Sequence, residues 1–350
     1  MGGCAPISGN VVRYVIVKEF KGVILANSRP GPELPRFARG RAPELVSVAD
    51  KPILHYAVEA FREAGISEVA LIVDPRGGEA IREAVGDGSE WDLRACYVPC
   101  HNPGVVDSVL AAERVLGPAQ VVVYPGNGIL LAPLRPLMRR FQRAHLDMLV
   151  PPRAIEAPLG SSDSGVYLFA KSLYAAAQET ERSWRGRLEL GEVIAALLDE
   201  DGRVEARPMP DWWSYHGHPH ELLEANRIIL DRLTDSRQLT SVTETTLEGR
   251  IAISASAHIE STTIRGPSVI GPGARLIDAH IGPYTTVGRL AMVRGTEVEN
   301  SILMAGAIVE DVGTRIVRSV IGENAMLTRD FSMRSVLEVA VAHGSTATLG

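Results

Sequence analysis

The sequence is poor in aromatic residues and in cysteine. Aromatic side chains make up only 5% of the 350 residues, and there are three cysteines, an odd number too small for a disulfide framework. We therefore expect a reducing, cytoplasmic compartment. No apolar run approaches the roughly 18 residues of a membrane span. Residues 1–10 also lack the charged and apolar segments of a secretory signal.

The net charge of −6 and the mean hydropathy of +0.06 exclude further classes of protein. A chain with this charge is neither a general nucleic-acid binder nor a polybasic membrane-binding protein. Dense aliphatic segments exclude disorder over most of the length. At about 100–200 residues per domain, the length predicts two domains.

In the first half of the chain, short aliphatic runs alternate with amphipathic stretches. This order predicts crossover units and a doubly wound, mostly parallel α/β sheet, which carries ligands at the carboxyl ends of its strands. The predicted strands are 12–18, 22–26, 69–74, 93–98, 120–124, 147–150 and 165–170. The predicted helices are 51–64, 78–85, 105–116, 134–145, 188–199 and 221–233.

A different period governs the last hundred residues. Aliphatic residues recur every 17 positions at Ile253, Ile270, Val287, Met304 and Ile321, with parallel series at Ile259, Leu276, Val293 and at Ile264, Ile281, Val298. A repeat of this length, with one inward aliphatic residue per short face, is typical of a β-solenoid.

These patterns predict four segments. They are an N-terminal extension with an extra strand (1–20), the α/β domain (21–235), a linker rich in Thr and Ser (236–248) and the solenoid (249–350). The last residues, 341–350, are expected to be poorly tied down.

Several motifs together resemble a known family. They are residues 22–54, Gly126–Asn127, Trp212–Trp213, residues 222–227 and the Gly-Pro-Tyr-Thr of residues 282–285. On these motifs the chain resembles the glucose-1-phosphate thymidylyltransferases, in the long form with a C-terminal left-handed β-helix. The resemblance covers roughly residues 21–345. It implies that fold, a homo-oligomer, and a natural-product or sugar-like intermediate as ligand, but function resides in the site rather than in the fold.

The phosphate-binding loop departs from the family pattern. The family's Gly-Gly-x-Gly-Thr-Arg-Leu, with a Lys further on, holds nucleotide phosphates with backbone N–H groups and positive charge. Here residues 27–34 read Asn-Ser-Arg-Pro-Gly-Pro-Glu-Leu, and the two prolines remove N–H donors. Glu33 stands at the position of the Arg and Pro43 at that of the Lys. Arg36, Arg39 and Arg41 either meet an anion or form a solvated basic loop.

The metal-binding side is altered as well. The family's two Mg²⁺-binding aspartates correspond to Asn127 and Tyr215, whereas Mg²⁺ prefers charged oxygen ligands. The family's base-reading Gln corresponds to Cys100, and its sugar-binding hairpin is missing. We expect no cofactor and no metal. Because losing one group that stabilises a transition state typically costs about 10²–10³ in rate, nucleotidyl transfer is expected to be lost.

Other reactive side chains stand in the same predicted cleft. The candidate catalytic residues are His216, His218, Cys100 and His101, because His titrates near neutrality and acts as acid, base or metal ligand. The simpler interpretation is that these histidines flank a helix start and lie on the surface. The candidate ligand-binding residues are Asn27, Ser28, Gly31, Gly104, Asp107, Gly126, Asn127, Gly165 and Tyr215.

Three functions stay open at this point. One is a pseudoenzyme that binds a small molecule, phosphorylated or sugar-like, or pairs with an active paralogue, without nucleic-acid or membrane partners. Another is an enzyme whose cleft was refitted for different chemistry on a related molecule. The third is an active nucleotidyltransferase with a drifted sequence. Acyl transfer by His258 or His280 is less favoured, because both lie at ordinary coil positions of the solenoid.

The first testable prediction concerns assembly. We expect a homo-oligomer, because the resemblance implies one and a solenoid offers exposed edges for packing. Light scattering at micromolar concentration should give a multiple of the 37.7 kDa chain mass. A clean monomer would contradict this expectation.

Overall fold

The structure is a computed structural model, and it describes residues 20–28, 42–75, 78–100, 104–153, 165–238, 241–329 and 339–349. The strand predicted at residues 12–18 lies outside the described residues. Within them the chain forms an α/β domain followed by a solenoid of parallel strands. Both halves of the predicted fold class are therefore confirmed.

Seven helices are described in the α/β domain. They are α1 (Ile53–Ala64), α2 (Gly78–Val85), α3 (Val105–Leu116), α4 (Leu134–Arg143), α5 (Ser172–Glu179), α6 (Leu190–Asp199) and α7 (Pro219–Asp231). Six of them agree with the predicted helices to within two residues at each end. The sequence analysis missed α5, whose alanine-rich sequence has no clear polar face. Among the described helices, none is long and apolar enough to cross a membrane.

The strands described before the solenoid are short, and most were predicted. They are β1 (Phe20–Ala26), β2 (Ser47–Val48), β3 (Lys51–Pro52), β4 (Glu68–Val73), β5 (Arg94–Pro99), β6 (Gln120–Pro125), β7 (Gly128–Leu130), β8 (Met148–Val150), β9 (Tyr167–Phe169), β10 (Val204–Ala206) and β11 (Trp212–Ser214). The main sheet has the order β10-β8-β9-β6-β1-β4-β5. Its strands β6, β1, β4 and β5 run parallel to one another, whereas β9 is antiparallel to both β6 and β8.

The main sheet is buried on both faces. From Gly22 to Ala26, β1 is apolar and fully buried, as expected of a parallel strand that is covered by helices on both sides. One face packs against α3, α5 and α6, and the other packs against α1, α2 and α4. This arrangement leaves the carboxyl ends of the parallel strands as the edge at which a ligand site forms.

A second sheet of two antiparallel strands, β7 and β11, lies next to that edge. Its pairing sets Ser214 opposite Gly128 and Trp212 opposite Leu130. Gly128 has a specific steric role, because a Cβ at this position would overlap the ring of Trp212. The close approach fixes β11 beside the loop that follows β6.

The solenoid consists of three parallel sheets, as expected of a left-handed β-helix. Its strands are β12 (Ser236–Arg237), β13 (Ser241–Thr243), β14 (Thr246–Glu248), β15 (Ile251–Ile253), β16 (His258–Glu260), β17 (Thr263–Arg265), β18 (Ser268–Ile270), β19 (Arg275–Ile277), β20 (His280–Ile281), β21 (Thr285–Val287), β22 (Met292–Arg294), β23 (Glu297–Glu299), β24 (Ile302–Leu303), β25 (Ile308–Glu310), β26 (Ile316–Val317), β27 (Val320–Ile321), β28 (Met326–Arg329), β29 (Ala340–Val341) and β30 (Thr346–Leu349). The inward series through Ile259, Leu276 and Val293 is paired as predicted.

One position of the predicted repeat is wrong. Val287 pairs with Leu303 rather than with Met304, because this coil is one residue shorter than the two before it, and the next coil is one residue longer, which restores the predicted position of Ile321. Leu303 takes the inward position, and Met304 instead packs in a cluster that includes residues of the α/β domain. A strict 17-residue count therefore misassigned Met304 by one position.

The ends of the solenoid also differ from the sequence-based expectations. The predicted linker, residues 236–248, includes β12, β13 and β14, and these strands already pair with the next coil. Near the C-terminus β29 and β30 pair with β27 and β28, so the segment expected to be poorly tied down adds strands to two sheets. The domain boundaries at 235 and 249 themselves stay predictions.

Candidate functional site

The carboxyl ends of β1, β4, β5 and β6 lie side by side at one edge of the main sheet. Asn27 and Ser28 follow β1, Cys100 follows β5, and Gly126 and Asn127 follow β6. Because β4 and β1 lie between β5 and β6, the ends of those two strands are roughly 14 Å apart at the usual strand spacing. The candidate residues therefore lie along one edge of the sheet, where the sequence predicts the ligand cleft.

A buried carboxylate lies at the β1 end of this cleft. Glu44 belongs to the 3-10 turn Pro43–Leu45 and is fully buried, and its Oε1 accepts a 2.8 Å hydrogen bond from the backbone N–H of Ser28. A Cβ on Gly126 would lie 3.2 Å from Glu44 Cγ, so the carboxylate also packs against the β6 end. The sequence analysis missed Glu44, because a Glu beside a proline is ordinarily a solvent-exposed residue.

Asn27 contributes a donor to the same end of the cleft. Its amide Nδ2 is buried and has no hydrogen-bond partner in the part of the chain that the structure describes. A buried donor without a partner costs free energy, which a ligand oxygen at this position would recover. Asn27 thus has the geometry expected of a predicted ligand-binding residue.

Asn127 and Tyr215 are bonded to each other at the β6 end. The side-chain Nδ2 of Asn127 donates to the backbone carbonyl of Tyr215 at 3.0 Å, and the backbone N–H of Tyr215 donates to the carbonyl of Asn127 at 2.9 Å. Asn127 is buried. An aspartate at position 127 could not replace it, because a carboxylate has no donor for that carbonyl. The two positions that the family resemblance assigns to metal-binding aspartates here form a direct, uncharged contact.

The residues at this position do not fit Mg²⁺. That cation prefers anionic oxygen ligands in octahedral geometry, whereas the side chains of Asn127 and Tyr215 carry no formal charge and the Asn127 amide is already bonded to the Tyr215 carbonyl. In the described ranges, no three His, Cys, Asp or Glu side chains come together in a metal-binding cluster. No step of the chemistry below is assigned to a metal.

The side chain of Tyr215 lies in the core between the two domains. Its ring is 1% exposed and stacks on Trp213 at 6.3 Å, within a cluster that includes Val48 and Ile302. The hydroxyl has no hydrogen-bond partner in the described residues, and burial raises its pKa. Ligand binding by Tyr215 stays a prediction.

Glu221 organises the predicted catalytic histidines. It lies in the first turn of α7, and its Oε2 accepts hydrogen bonds from the backbone N–H groups of His216 (2.9 Å) and His218 (3.0 Å). Its Oε1 lies 3.1 Å from His216 Nδ1. Burial alone would raise the pKa of Glu221, but the hydrogen bonds from His216 and His218 outweigh it and lower that pKa. Both histidines therefore belong to the cap of α7.

Ser214 is a further polar residue at this place, and the sequence analysis missed it. Its Oγ lies 3.3 Å from His216 Nε2, on the ring side opposite to the nitrogen that faces Glu221. The available signal was the Ser-x-His spacing at the end of a short strand, which is too common to stand out. Stacking of the His218 ring on His220, with centroids 5.3 Å apart, directs His218 away from this contact pair.

The remaining candidates lie at the other end of the cleft. Cys100 is partly buried against the core beneath α3, and its N–H donates to Val73. Asp107 is engaged by Arg182 at 2.8 Å and by the N–H of Leu188 at 3.2 Å. Two strands, β4 and β1, lie between the end of β5, which Cys100 follows, and the end of β6. The catalytic roles assigned to Cys100, His216 and His218 stay predictions.

Gly104, Gly165, Gly31 and His101 complete the predicted set. Gly104 precedes α3 and packs against the carbonyl of Leu188, where a Cβ would lie at 3.3 Å. Gly165 has a φ of +144°, and a Cβ there would approach Met209 Sδ at 2.6 Å. Gly31 and His101 lie outside the described residues. The ligand contacts assigned to the three glycines and the catalytic role assigned to His101 stay predictions.

The cap of α7 should make stability depend on pH. Because the folded pKa of Glu221 is lowered, its contribution is fully present above its ordinary pKa and is lost as pH falls through the folded value. Glu221→Gln should lower the free energy of unfolding by about 1 kcal/mol at pH 7, and the difference should shrink in acid. Denaturant unfolding at several pH values measures this difference in the free energy of unfolding between the wild type and the variant. Glu224→Gln, on the exposed face of the same helix, is the control and should show no such trend.

Removing the unpartnered hydroxyl of Tyr215 should not lower stability, in contrast to the change at Glu221. Tyr215→Phe should leave stability unchanged or raise it by up to about 1 kcal/mol, because it removes a buried, unsatisfied polar group. The matched control is Tyr124→Phe, since the buried Tyr124 hydroxyl accepts a 2.7 Å bond from Leu130 N. That change should cost about 1–3 kcal/mol. Equal losses in thermal unfolding would show that Tyr215 has a partner.

Comparison with known proteins identifies the family. The model of the nucleotidyl transferase family matches residues 21–157. A glucose-1-phosphate thymidylyltransferase of Streptomyces antibioticus is 31% identical over 336 residues, which is 88% of this chain and 94% of that protein. The low-salt glycan biosynthesis nucleotidyltransferase of Haloferax volcanii is 31% identical over 87% of this chain and 93% of its own length.

A solved structure supports the fold. A proposed glucose-1-phosphate thymidylyltransferase from Bacillus anthracis, in complex with sucrose, has a TM-score of 0.51 at 20% identity and covers 60% of this chain and 94% of its own. The similarity over nearly the full length of the Streptomyces and Haloferax proteins is the stronger finding, because it includes the solenoid as well as the α/β domain. The chain therefore belongs to the sugar-1-phosphate nucleotidyltransferase family and is similar over its length to the glucose-1-phosphate thymidylyltransferases.

Proposed function

We propose that this chain is a ligand-binding member of the family that has lost nucleotidyl transfer. The observation that carries the proposal is the direct contact between Asn127 and Tyr215. The family resemblance implies carboxylates around a cation at these two positions. In this chain Asn127 and Tyr215 instead form two hydrogen bonds with each other. Without that cation the charge of a transferred phosphoryl group is not neutralised, and phosphoryl transfer depends almost entirely on such neutralisation.

The β1 end of the cleft supports the same proposal. A phosphate-binding loop works through free N–H groups, but the N–H of Ser28 already donates to the buried carboxylate of Glu44. A polyphosphate entering here would compete with this internal carboxylate and would be repelled by it. The cleft is therefore better suited to a ligand with few negative charges.

The ligand that we propose is a small sugar-like molecule or sugar monophosphate, of the kind found in natural-product biosynthesis. The relatives named for glucose 1-phosphate motivate this choice, and the unpartnered amide of Asn27 supplies a donor for a ligand oxygen. The protein would act as a homo-oligomer in the cytoplasm, by binding or by pairing with a partner. Cys96 and Cys100 are free thiols, which is compatible with a reducing compartment.

A second candidate is an enzyme refitted for different chemistry. The observation that favours it is the contact series Ser214, His216 and Glu221, in which a hydroxyl, an imidazole and a carboxylate follow one another. This candidate differs from the first in predicting that a bound molecule is chemically altered. An active nucleotidyltransferase remains as an outcome of the test below.

The test uses dTTP, Mg²⁺ and glucose 1-phosphate. We expect no pyrophosphate above background, because Asn127 and Tyr215 are bonded to each other and the N–H of Ser28 already donates to Glu44. Thermal unfolding should be unaffected by Mg²⁺, whereas saturating glucose 1-phosphate should raise the midpoint; a ligand at 100 times its Kd adds about 2.7 kcal/mol. Pyrophosphate release at about one per second would contradict the loss of activity. No shift with glucose 1-phosphate or with other sugar monophosphates would contradict ligand binding.

The second candidate is separated from the first by the fate of the ligand. Mass spectrometry of small molecules bound from a cell extract, before and after incubation, reports whether they change. Binding that is unaffected by His216→Ala and His218→Ala, with the ligand recovered intact, supports the binding role. A molecule altered by the wild type but not by those variants supports a refitted enzyme.

A further inference from the structure

Three polar side chains at the end of β11 form one continuous series of contacts. The Oγ of Ser214 lies 3.3 Å from His216 Nε2, and His216 Nδ1 lies 3.1 Å from Glu221 Oε1. The hydroxyl and the carboxylate thus face opposite nitrogens of one imidazole. The same order of groups, a nucleophilic hydroxyl, a general base and a carboxylate that orients the base, is found in catalytic triads.

The carboxylate is held in place before any ligand arrives. Glu221 Oε2 accepts two backbone N–H groups, from His216 and His218, and the side chain is only 14% exposed. With Oε2 fixed in this way, Oε1 is left to orient the His216 ring. The ring itself is 49% exposed, so a proton on Nε2 can pass to a leaving group or to water.

The hydroxyl also lies on a rigid element next to the cleft. Ser214 ends β11 and pairs with Gly128 of β7, two residues after Gly126 at the carboxyl edge of the main sheet. Packing of the Trp212 ring against Gly128 fixes the register of these two strands. Groups on strands hold catalytic geometry better than groups on loops.

We infer that Ser214, His216 and Glu221 form a hydrolytic triad that acts on small esters bound in the cleft. Ser214 is the nucleophile, His216 is the general base, and Glu221 is the residue that orients it. The inference goes beyond the proposed binding function, because it assigns a covalent step to groups that binding does not need. It stands on the three contacts and does not depend on loss of nucleotidyl transfer.

The reaction balances without a metal, an oxidant or a cofactor. Ser214 Oγ attacks the ester carbonyl while its proton moves to His216 Nε2, and the tetrahedral intermediate expels an alcohol that takes this proton. Water then attacks the acyl-serine, giving its proton to His216 and its oxygen to the acid. The carboxylic acid leaves and Ser214 recovers its proton. Glu221 stabilises the imidazolium in both steps and is not itself protonated.

The test is covalent labelling of the full-length protein with a fluorophosphonate, followed by peptide mass spectrometry. Wild type should carry the adduct on Ser214. Ser89 is the matched internal control, because its hydroxyl donates to Asp87 and has no imidazole partner in the described residues. It should stay unlabelled.

The variants separate catalysis from folding. His216→Ala should slow labelling by about 100-fold or more, the usual contribution of a general base, and imidazole added to the buffer should restore part of the rate. Ser214→Ala should abolish the adduct with or without imidazole. His220→Ala, which changes a neighbouring exposed histidine outside the contact series, should label as fast as wild type. Circular dichroism of each variant tests whether it is folded like the wild type.

The outcomes are decisive in both directions. An adduct on Ser214 that depends on His216 and is rescued by imidazole, together with hydrolysis of p-nitrophenyl acetate that follows the same pattern, supports the triad. The triad is overturned by the absence of an adduct on Ser214. It is equally overturned by labelling that is as fast in His216→Ala as in wild type.

Discussion

The buried amide of Asn226 joins the two domains, and the geometry of the cleft depends on that junction. Its Oδ1 accepts hydrogen bonds from Ala49 N (3.2 Å) and from Thr286 Oγ1 (2.7 Å), while its Nδ2 donates to the carbonyl of Tyr284 (3.0 Å). One side chain on α7 thereby links a turn of the α/β domain to two residues of the solenoid. Because the amide is 1% exposed, losing any one of these bonds would leave a polar group buried without a partner.

The turn that Asn226 holds is also fitted to the solenoid surface. Ala49 and Asp50 both have positive φ, a conformation that costs non-glycine residues free energy and persists only where the surroundings enforce it. Asp50 Oδ1 accepts a 2.9 Å bond from Arg289 N, and a Cβ on Gly271 would overlap its other oxygen. The same segment of chain begins at Glu44 in the cleft, so the solenoid braces one wall of the candidate site.

In the cleft, polar groups that the family resemblance would assign to ligand or cation contacts form hydrogen bonds within the protein. Where the family resemblance expects a phosphate at the first loop, Ser28 donates to Glu44; where it expects a cation, Asn127 donates to Tyr215. Each of these hydrogen bonds lies at a position where the family resemblance implies a contact with a ligand or a cation. In the same region Ser214 and His216 are partly exposed, and the proposed hydrolytic chemistry rests on these groups.

Hydrophobic period and turn residues in the sequence were enough to determine six of the helices, most strands of the main sheet and the solenoid, because these features are set by neighbours a few residues apart. Sequence motifs also identified the family and the substituted positions 127 and 215. Only the tertiary structure decided that Leu303 rather than Met304 faces inward, that Glu44 is buried, and that two strands separate the end of β5, which Cys100 follows, from the end of β6. These outcomes depend on coil length and strand order, and on contacts between residues far apart in the chain that meet only when the sheet has formed and the solenoid has docked on it.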